Sequence, residues 1–129
     1  MEPSNSQARP HILVVDDDPG VRDADALRLR RLGYETTVCE DGLRALALLD
    51  RNPGTFDLLL VDQEMPGLGG LDLAARISDR EVNIPVVIMS GYSSDLTPEN
   101  ISSAKVEAVL MKPFNTDDMR SVLAAAIHS

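Results

Sequence analysis

Short apolar runs alternate with longer amphipathic segments along almost the whole chain. Five of the runs have the length of strands, and four of these are apolar at every position. Continuous apolarity is typical of strands that are buried on both faces of a parallel sheet. We predict strands over residues 12–15, 36–39, 58–61, 86–89 and 108–111.

Helical segments lie between the apolar runs, and local signals mark their ends. Asp18 followed by Pro19 indicates an N-cap and a first-turn proline, and Gly33 is well suited to end the same helix. A fourth helix opens at Thr97, but Asn100 and the serines after it are poor helix formers. The other helices are predicted over residues 19–32, 41–51, 71–79 and 116–127.

This order of elements is a βα unit repeated about five times. Right-handed crossovers arrange such units as an open, doubly wound parallel sheet with helices on both faces, an α/β three-layer sandwich. We expect one domain over residues 11–129. The polar residues 1–10 contain two prolines and are expected to form a disordered lead-in.

Composition restricts the class of protein further. Hydrophobic residues make up 43% of the 129 positions and aromatic residues only 3%, so the core must be aliphatic. The formal net charge of −9 opposes direct binding to nucleic acid. Cys39 is the only cysteine, which fits a reducing compartment, and no apolar run approaches the roughly 20 residues that cross a membrane. We therefore expect a soluble, cytoplasmic protein without membrane insertion.

Chemically active side chains fall where the predicted strands stop. Asp16 and Asp17 follow the first strand, Asp62 the third, Ser90 the fourth and Lys112 the fifth. Open parallel sheets bind ligands beyond the carboxyl ends of their strands, so these side chains should meet at one edge. Asp18 is set apart from them, because its place before a proline is typical of an N-cap.

Each of these residue types has a function in phosphoryl transfer. Crowded carboxylates repel one another, so a hard cation such as Mg²⁺ is needed to hold them ionised. Asp62 could act as a nucleophile that forms an acyl phosphate. Lys112 would neutralise charge on the transferred group, and Ser90 could donate a hydrogen bond to it.

Four sequence pieces resemble the receiver domain of bacterial two-component response regulators. They are the runs ILVVDDD (12–18), VDQEMPG (61–67), MSGY (89–92) and MKPF (111–114). The resemblance covers nearly all of the chain after Pro10, and the four pieces in this order make it specific. It implies a flavodoxin-like (βα)5 fold with the sheet order 2-1-3-4-5.

The resemblance also implies a role for each site residue. Asp62 would be the phosphoacceptor and a metal ligand, Asp17 a direct Mg²⁺ ligand, and Asp16 the holder of a metal-bound water. The backbone carbonyl of Glu64 would complete the metal site. The phosphoryl oxygens would be contacted by two further side chains, Ser90 and Lys112.

Three other positions are notable in the resemblance. The peptide bond before Pro113 is expected to be cis. Val109 stands where the family usually has a Tyr or Phe whose ring transmits the signal. Transmission of the signal from Ser90 must therefore differ in this chain or be weak. Glu64 and Tyr92 flank the site, and we expect them to hinder the water that hydrolyses the phospho-form.

The resemblance implies a phosphorelay switch that takes its phosphoryl group from a histidine kinase or a histidine phosphotransfer protein. Such a switch is not an enzyme in the usual sense, because it catalyses only its own modification. Phosphorylation would alter the face formed by the fourth helix, the fifth strand and the last helix, where a downstream protein binds. The sequence does not decide whether the protein forms a homodimer or whether it comes from a hybrid histidine kinase.

Two alternative functions compete with the switch. A phosphatase of the haloacid dehalogenase type requires a threonine four residues after the first aspartate, where this chain has Gly20. A phosphorylation-independent interaction module with the same fold usually lacks one of the acids or the lysine. All are present here, and only Val109 favours this alternative.

Overall fold

The computed structural model describes residues 9–80 and 82–128. Five strands alternate with five helices, as the apolar pattern predicts. The proposed lead-in over residues 1–10 lies outside the described residues except for its last two positions. The elements are β1 (His11–Val15), α1 (Pro19–Arg31), β2 (Glu35–Cys39), α2 (Gly42–Arg51), β3 (Leu58–Asp62), α3 (Gly70–Asp79), β4 (Val86–Ser90), α4 (Pro98–Ser103), β5 (Ala108–Met111) and α5 (Thr116–Ile127).

The five strands form one parallel sheet in the order β2-β1-β3-β4-β5. The predicted flavodoxin-like α/β fold is therefore confirmed. The chain moves outward from β1 to β2 and then returns to place β3 on the other side of β1. This reversal creates a crevice at the carboxyl ends of β1 and β3, the usual position of ligands in such sheets.

Alternate strand residues pack into two aliphatic cores, one on each face of the sheet. Leu13 and Val15 belong to the core that includes residues of α2 and α3, whereas Ile12 and Val14 belong to the core that includes residues of α1 and α5. Every residue of β3 and β4 is buried. Burial on both faces explains why these strands are apolar throughout.

Helix ends follow the local chemistry of the sequence. Asp18 caps α1, because its Oδ1 accepts hydrogen bonds from the backbone N–H groups of Gly20 at 2.9 Å and Val21 at 3.2 Å. Gly33 follows the helix with a φ of 102°, which glycine adopts without strain. The fourth helix is as weak as predicted, since it has six residues and none of them is buried.

Sheet register brings the predicted site residues together. Val15 pairs with Val61, so Asp16 and Asp62 continue from neighbouring positions at the same edge. Ser90 pairs with Met111, which places Lys112 one residue beyond.

Among the described residues, no helix has the length and apolarity needed to cross a membrane.

Candidate functional site

Three carboxylates meet at the carboxyl edge of the sheet. Asp16, Asp17 and Asp62 each offer an oxygen, and these oxygens lie within 4.8 Å of one another. Asp16 and Asp62 are buried, whereas Asp17 is exposed. The cluster predicted from the strand ends is therefore present, and Asp17 is its solvent-exposed member.

The two oxygens of the Asp16 carboxylate differ in their hydrogen bonding. Its Oδ1 accepts a hydrogen bond from the backbone N–H of Asp18 at 3.0 Å. Its Oδ2 is buried and has no hydrogen-bond partner among the described residues. Burial raises the pKa of Asp16 above its ordinary value, the hydrogen bond from Asp18 opposes this, and the charge of Asp62 adds to it.

A hard divalent cation fits this arrangement. The cluster supplies carboxylate oxygens, the preferred ligands of Mg²⁺, and a cation would offset both their mutual repulsion and the burial of Asp16. The orphaned Oδ2 of Asp16 would gain a partner, either the ion or a water bound to it. Residues Asp16, Asp17 and Asp62 could therefore hold a metal ion.

Lys112 supplies the positive charge of the site. Its Nζ donates a hydrogen bond to Oδ1 of Asp62 at 2.8 Å. Burial alone would lower the pKa of Lys112, but the hydrogen bond and charge of Asp62, with the charges of Asp16 and Glu64, outweigh it and raise the pKa. The lysine is therefore held charged against Asp62, and the bond from Lys112 to Pro113 is cis as expected.

Ser90 lies at the same edge, but its hydroxyl already has a partner. The side chain is fully buried, and its Oγ donates a hydrogen bond to Oε2 of Glu64 at 2.5 Å. The other carboxylate oxygen of Glu64 accepts from the backbone N–H of Gly91 at 3.0 Å. The sequence predicts that the backbone carbonyl of Glu64 binds metal and that its side chain hinders the hydrolysing water. Its spacing from Ser90 gives no indication of this side-chain contact.

Asp25 is a buried carboxylate that the sequence analysis did not single out. It lies on α1 and is only 5% exposed, and within the part of the chain that the structure describes its Oδ2 has no hydrogen-bond partner. Burial raises the pKa of Asp25 to about 6, although the charge of Arg28 opposes this and the charge of Asp16 adds to it. The sequence feature that could have indicated its burial is the position of this charged residue on the same helix face as Ala26 and Leu29, which are also buried.

Val109 and Tyr92 occupy different environments. Val109 is partly buried and packs against the core on the α2 and α3 side of the sheet. The side chain of Tyr92 is 79% exposed. The expectation that Tyr92 slows hydrolysis stays a prediction.

Comparison with known proteins agrees with the fold. The family model described as the response regulator receiver domain matches residues 12–124. The chain therefore belongs to the response regulator receiver domain family. Proteins of this family are signalling proteins.

Curated relatives place similar domains in larger proteins. The transcriptional regulatory protein FixJ of Bradyrhizobium diazoefficiens is 35% identical over 120 residues, which are 91% of this chain and 56% of FixJ. The CAI-1 autoinducer sensor kinase/phosphatase CqsS of Vibrio cholerae is 32% identical over 120 residues, or 88% of this chain and 17% of CqsS. The chain thus spans about half of one relative and less than a fifth of the other.

Solved structures show the same fold. The receiver domain of the Francisella response regulator 1452 superposes with a TM-score of 0.82 at 30% identity, covering 93% of this chain and 98% of that one. The response regulator TrrA of Thermotoga maritima, solved in complex with Mg²⁺ and BeF, gives a TM-score of 0.80 at 29% identity, covering 91% of this chain and 98% of that one.

Proposed function

We propose that this chain is a phosphorylation switch in which Asp62 accepts a phosphoryl group from a phosphohistidine. The donor would be a histidine kinase or a histidine phosphotransfer protein. The observation that carries the proposal is the contact of 2.8 Å between Lys112 Nζ and Asp62 Oδ1, made beside two further carboxylates. A nucleophile, a fixed positive charge and a candidate cation site are thus joined in one crevice.

The transfer itself needs little from the protein beyond position and charge. A carboxylate oxygen of Asp62 forms a bond to phosphorus as the bond from phosphorus to the histidine nitrogen breaks. The bonding electrons return to the imidazole, which takes up a proton from solvent. Lys112 lies where it offsets negative charge on the transferred group, and its fixed position means that it needs little rearrangement during the reaction.

Asp16, Asp17, Asp62 and the backbone carbonyl of Glu64 would hold a Mg²⁺ ion. When bound, the ion would supply positive charge both to the carboxylates and to the oxygens of the phosphoryl group. The TrrA structure solved with Mg²⁺ and BeF supports magnesium as the metal. The protein would catalyse only its own phosphorylation and dephosphorylation.

Magnesium should stabilise the fold through this cluster. At ten times its dissociation constant, a ligand raises the free energy of unfolding by about 1.4 kcal/mol, or about 5 °C in melting temperature for a small domain. We expect this rise in the wild-type protein and in Asp23→Asn, which removes an exposed carboxylate from α1. We expect none in Asp16→Asn. An equal rise in Asp16→Asn, measured by thermal unfolding, would place the cation elsewhere.

Phosphorylation itself is tested by intact mass after incubation with Mg²⁺ and acetyl phosphate. We expect one added phosphoryl group on the wild-type protein and none on Asp62→Ala. None should be added when Mg²⁺ is left out. If the wild-type protein gains no mass, binding of beryllofluoride separates a fast hydrolysis from an inactive site.

A phosphorylation-independent interaction module is the second candidate. Val109 favours it, because a valine cannot make the ring movement by which a Tyr or Phe at this position usually transmits the signal in receiver domains. Failure of both phosphorylation and beryllofluoride binding would favour this alternative over the switch. In either case the output would be a protein contact, and the face of α4, β5 and α5 is the proposed surface. We place the protein in the cytoplasm, where histidine kinases present their phosphohistidines.

A further inference from the structure

Glu64 connects two loops at the mouth of the proposed phosphorylation site. It follows β3 by two residues, and its carboxylate spans the hydroxyl of Ser90 and the backbone N–H of Gly91, just after β4. The distance of 2.5 Å from Ser90 Oγ to Glu64 Oε2 is typical of a short, charge-assisted O–H···O⁻ hydrogen bond. We call this pair of hydrogen bonds the Glu64 clasp.

The clasp uses the donors that an incoming anion would need. A serine hydroxyl has one proton to donate, and a backbone amide has one N–H. Both are directed at the Glu64 carboxylate, so neither can donate to another anion at the same time. Ser90 has no exposed surface, so its hydroxyl meets an anion only inside this crevice.

A carboxylate resembles part of a phosphoryl group in the features that these donors recognise. Each presents anionic oxygens joined to one central atom, and each accepts charge-assisted hydrogen bonds. The charge of Glu64 also acts on Lys112, the cation that contacts Asp62. Glu64 therefore places an anion of this chain among the groups proposed to receive the phosphoryl group.

We infer that the Glu64 carboxylate is an internal ligand of the Ser90 and Gly91 donors, and that it must leave before a phosphoryl group on Asp62 can bind them. The inference rests on the proposed function. Glu64 is a positioning residue that sets the threshold for phosphoryl acceptance. Its backbone carbonyl remains available for the metal, because only the side chain moves.

Release of the clasp would also disconnect the loop after β3 from the loop after β4. Gly91 precedes the segment that leads to α4, a helix without buried residues. A phosphoryl group that replaces Glu64 would therefore change the restraint on this segment at its first residue. This route does not require an aromatic ring at Val109.

A pair of conservative variants separates the clasp from simple charge repulsion. Glu64→Asp keeps the charge but is one methylene too short to reach both donors. Glu64→Gln keeps the length but is neutral. If the clasp competes with the phosphoryl group, we expect Glu64→Asp to raise the rate of phosphorylation by acetyl phosphate and the affinity for beryllofluoride by about ten-fold. If repulsion alone acts, only Glu64→Gln would raise them, and an unchanged Glu64→Asp would overturn the inference.

A second measurement reports on the clasp without any phosphodonor or metal. The Gly91 amide should be protected from hydrogen exchange in the wild-type protein and should lose that protection in Glu64→Asp. Glu99→Asp, the same shortening on the exposed first turn of α4, should leave it unchanged. Equal exchange at Gly91 in the wild-type protein and Glu64→Asp would contradict the clasp.

These readouts keep the inference distinguishable from the proposed function. If neither the wild-type protein nor any variant gains a phosphoryl group or binds beryllofluoride, the proposed function fails and Glu64 has no threshold to set. Gly91 exchange would still report the contact by itself. A gain of phosphorylation in Glu64→Asp over the wild-type protein, together with loss of Gly91 protection, supports both.

Discussion

Replacement of Lys112 by methionine is expected to lower the rate of Asp62 phosphorylation by about 100-fold and to destabilise the fold. Removal of one preorganised group that stabilises charge in a transition state typically costs this much or more. Destabilisation follows because Lys112 Nζ lies 2.8 Å from Asp62 Oδ1, and Asp62 is buried beside Asp16. Without the lysine, two buried carboxylates would face each other uncompensated.

The loss of stability should be about 2 kcal/mol. Breaking a fully buried ion pair costs about 3–5 kcal/mol, but the Lys112 side chain is 32% exposed, so solvent screens part of the interaction. Urea unfolding measures this loss, and the rate of mass gain from acetyl phosphate measures the chemical effect. If Lys112→Met is phosphorylated at the wild-type rate, the proposed role of the lysine is wrong.

A double variant separates the two effects of the lysine. Lys112→Met combined with Asp62→Asn removes both the cation and the charge that it compensates. We expect this protein to recover most of the stability that Lys112→Met loses, while it accepts no phosphoryl group. If the double variant is as unstable as the single one, the loss reflects packing of the lysine chain and not charge.

Replacement of Asp25 by asparagine should remove a decline in stability that occurs as pH rises. The pKa of Asp25 is raised by burial to about 6 in the folded protein, against an ordinary value of 3.8. Between these values the folded protein holds a proton that the unfolded chain has released. Stability contributed by this proton is complete below about pH 4 and is lost as the pH rises through about 6.

The free energy of unfolding at pH 7.5 should therefore rise by up to about 3 kcal/mol in Asp25→Asn, at about 1.4 kcal/mol for each pKa unit. The elevated pKa of Asp16 contributes in the same direction in both proteins, so most of the difference between them comes from Asp25. Asp23→Asn, on the same helix but exposed, should follow the wild-type protein. Parallel stability curves from pH 4 to 7.5 for wild type and Asp25→Asn would refute the prediction.

Much of this architecture is encoded locally. The strands are recognisable because burial on both faces requires apolar residues at every position, as in β3 and β4. The start of α1 is recognisable because Asp18 and Pro19 satisfy needs of a helix end that do not depend on the rest of the fold. The weakness of α4 follows from residues with poor helix propensity.

The sequence also predicts which residues share the carboxyl edge of the sheet. Parallel strands all end on one side, so the residues that follow them lie along the same edge of the sheet whatever the details of packing. What those residues contact depends on the packing of elements that are distant in the chain. Glu64 and Ser90 are 26 positions apart, and they meet because β3 and β4 pair with Asp62 opposite Met89. Asp25 is buried because α1 packs against the sheet, and burial depends on neighbours that are distant in the chain.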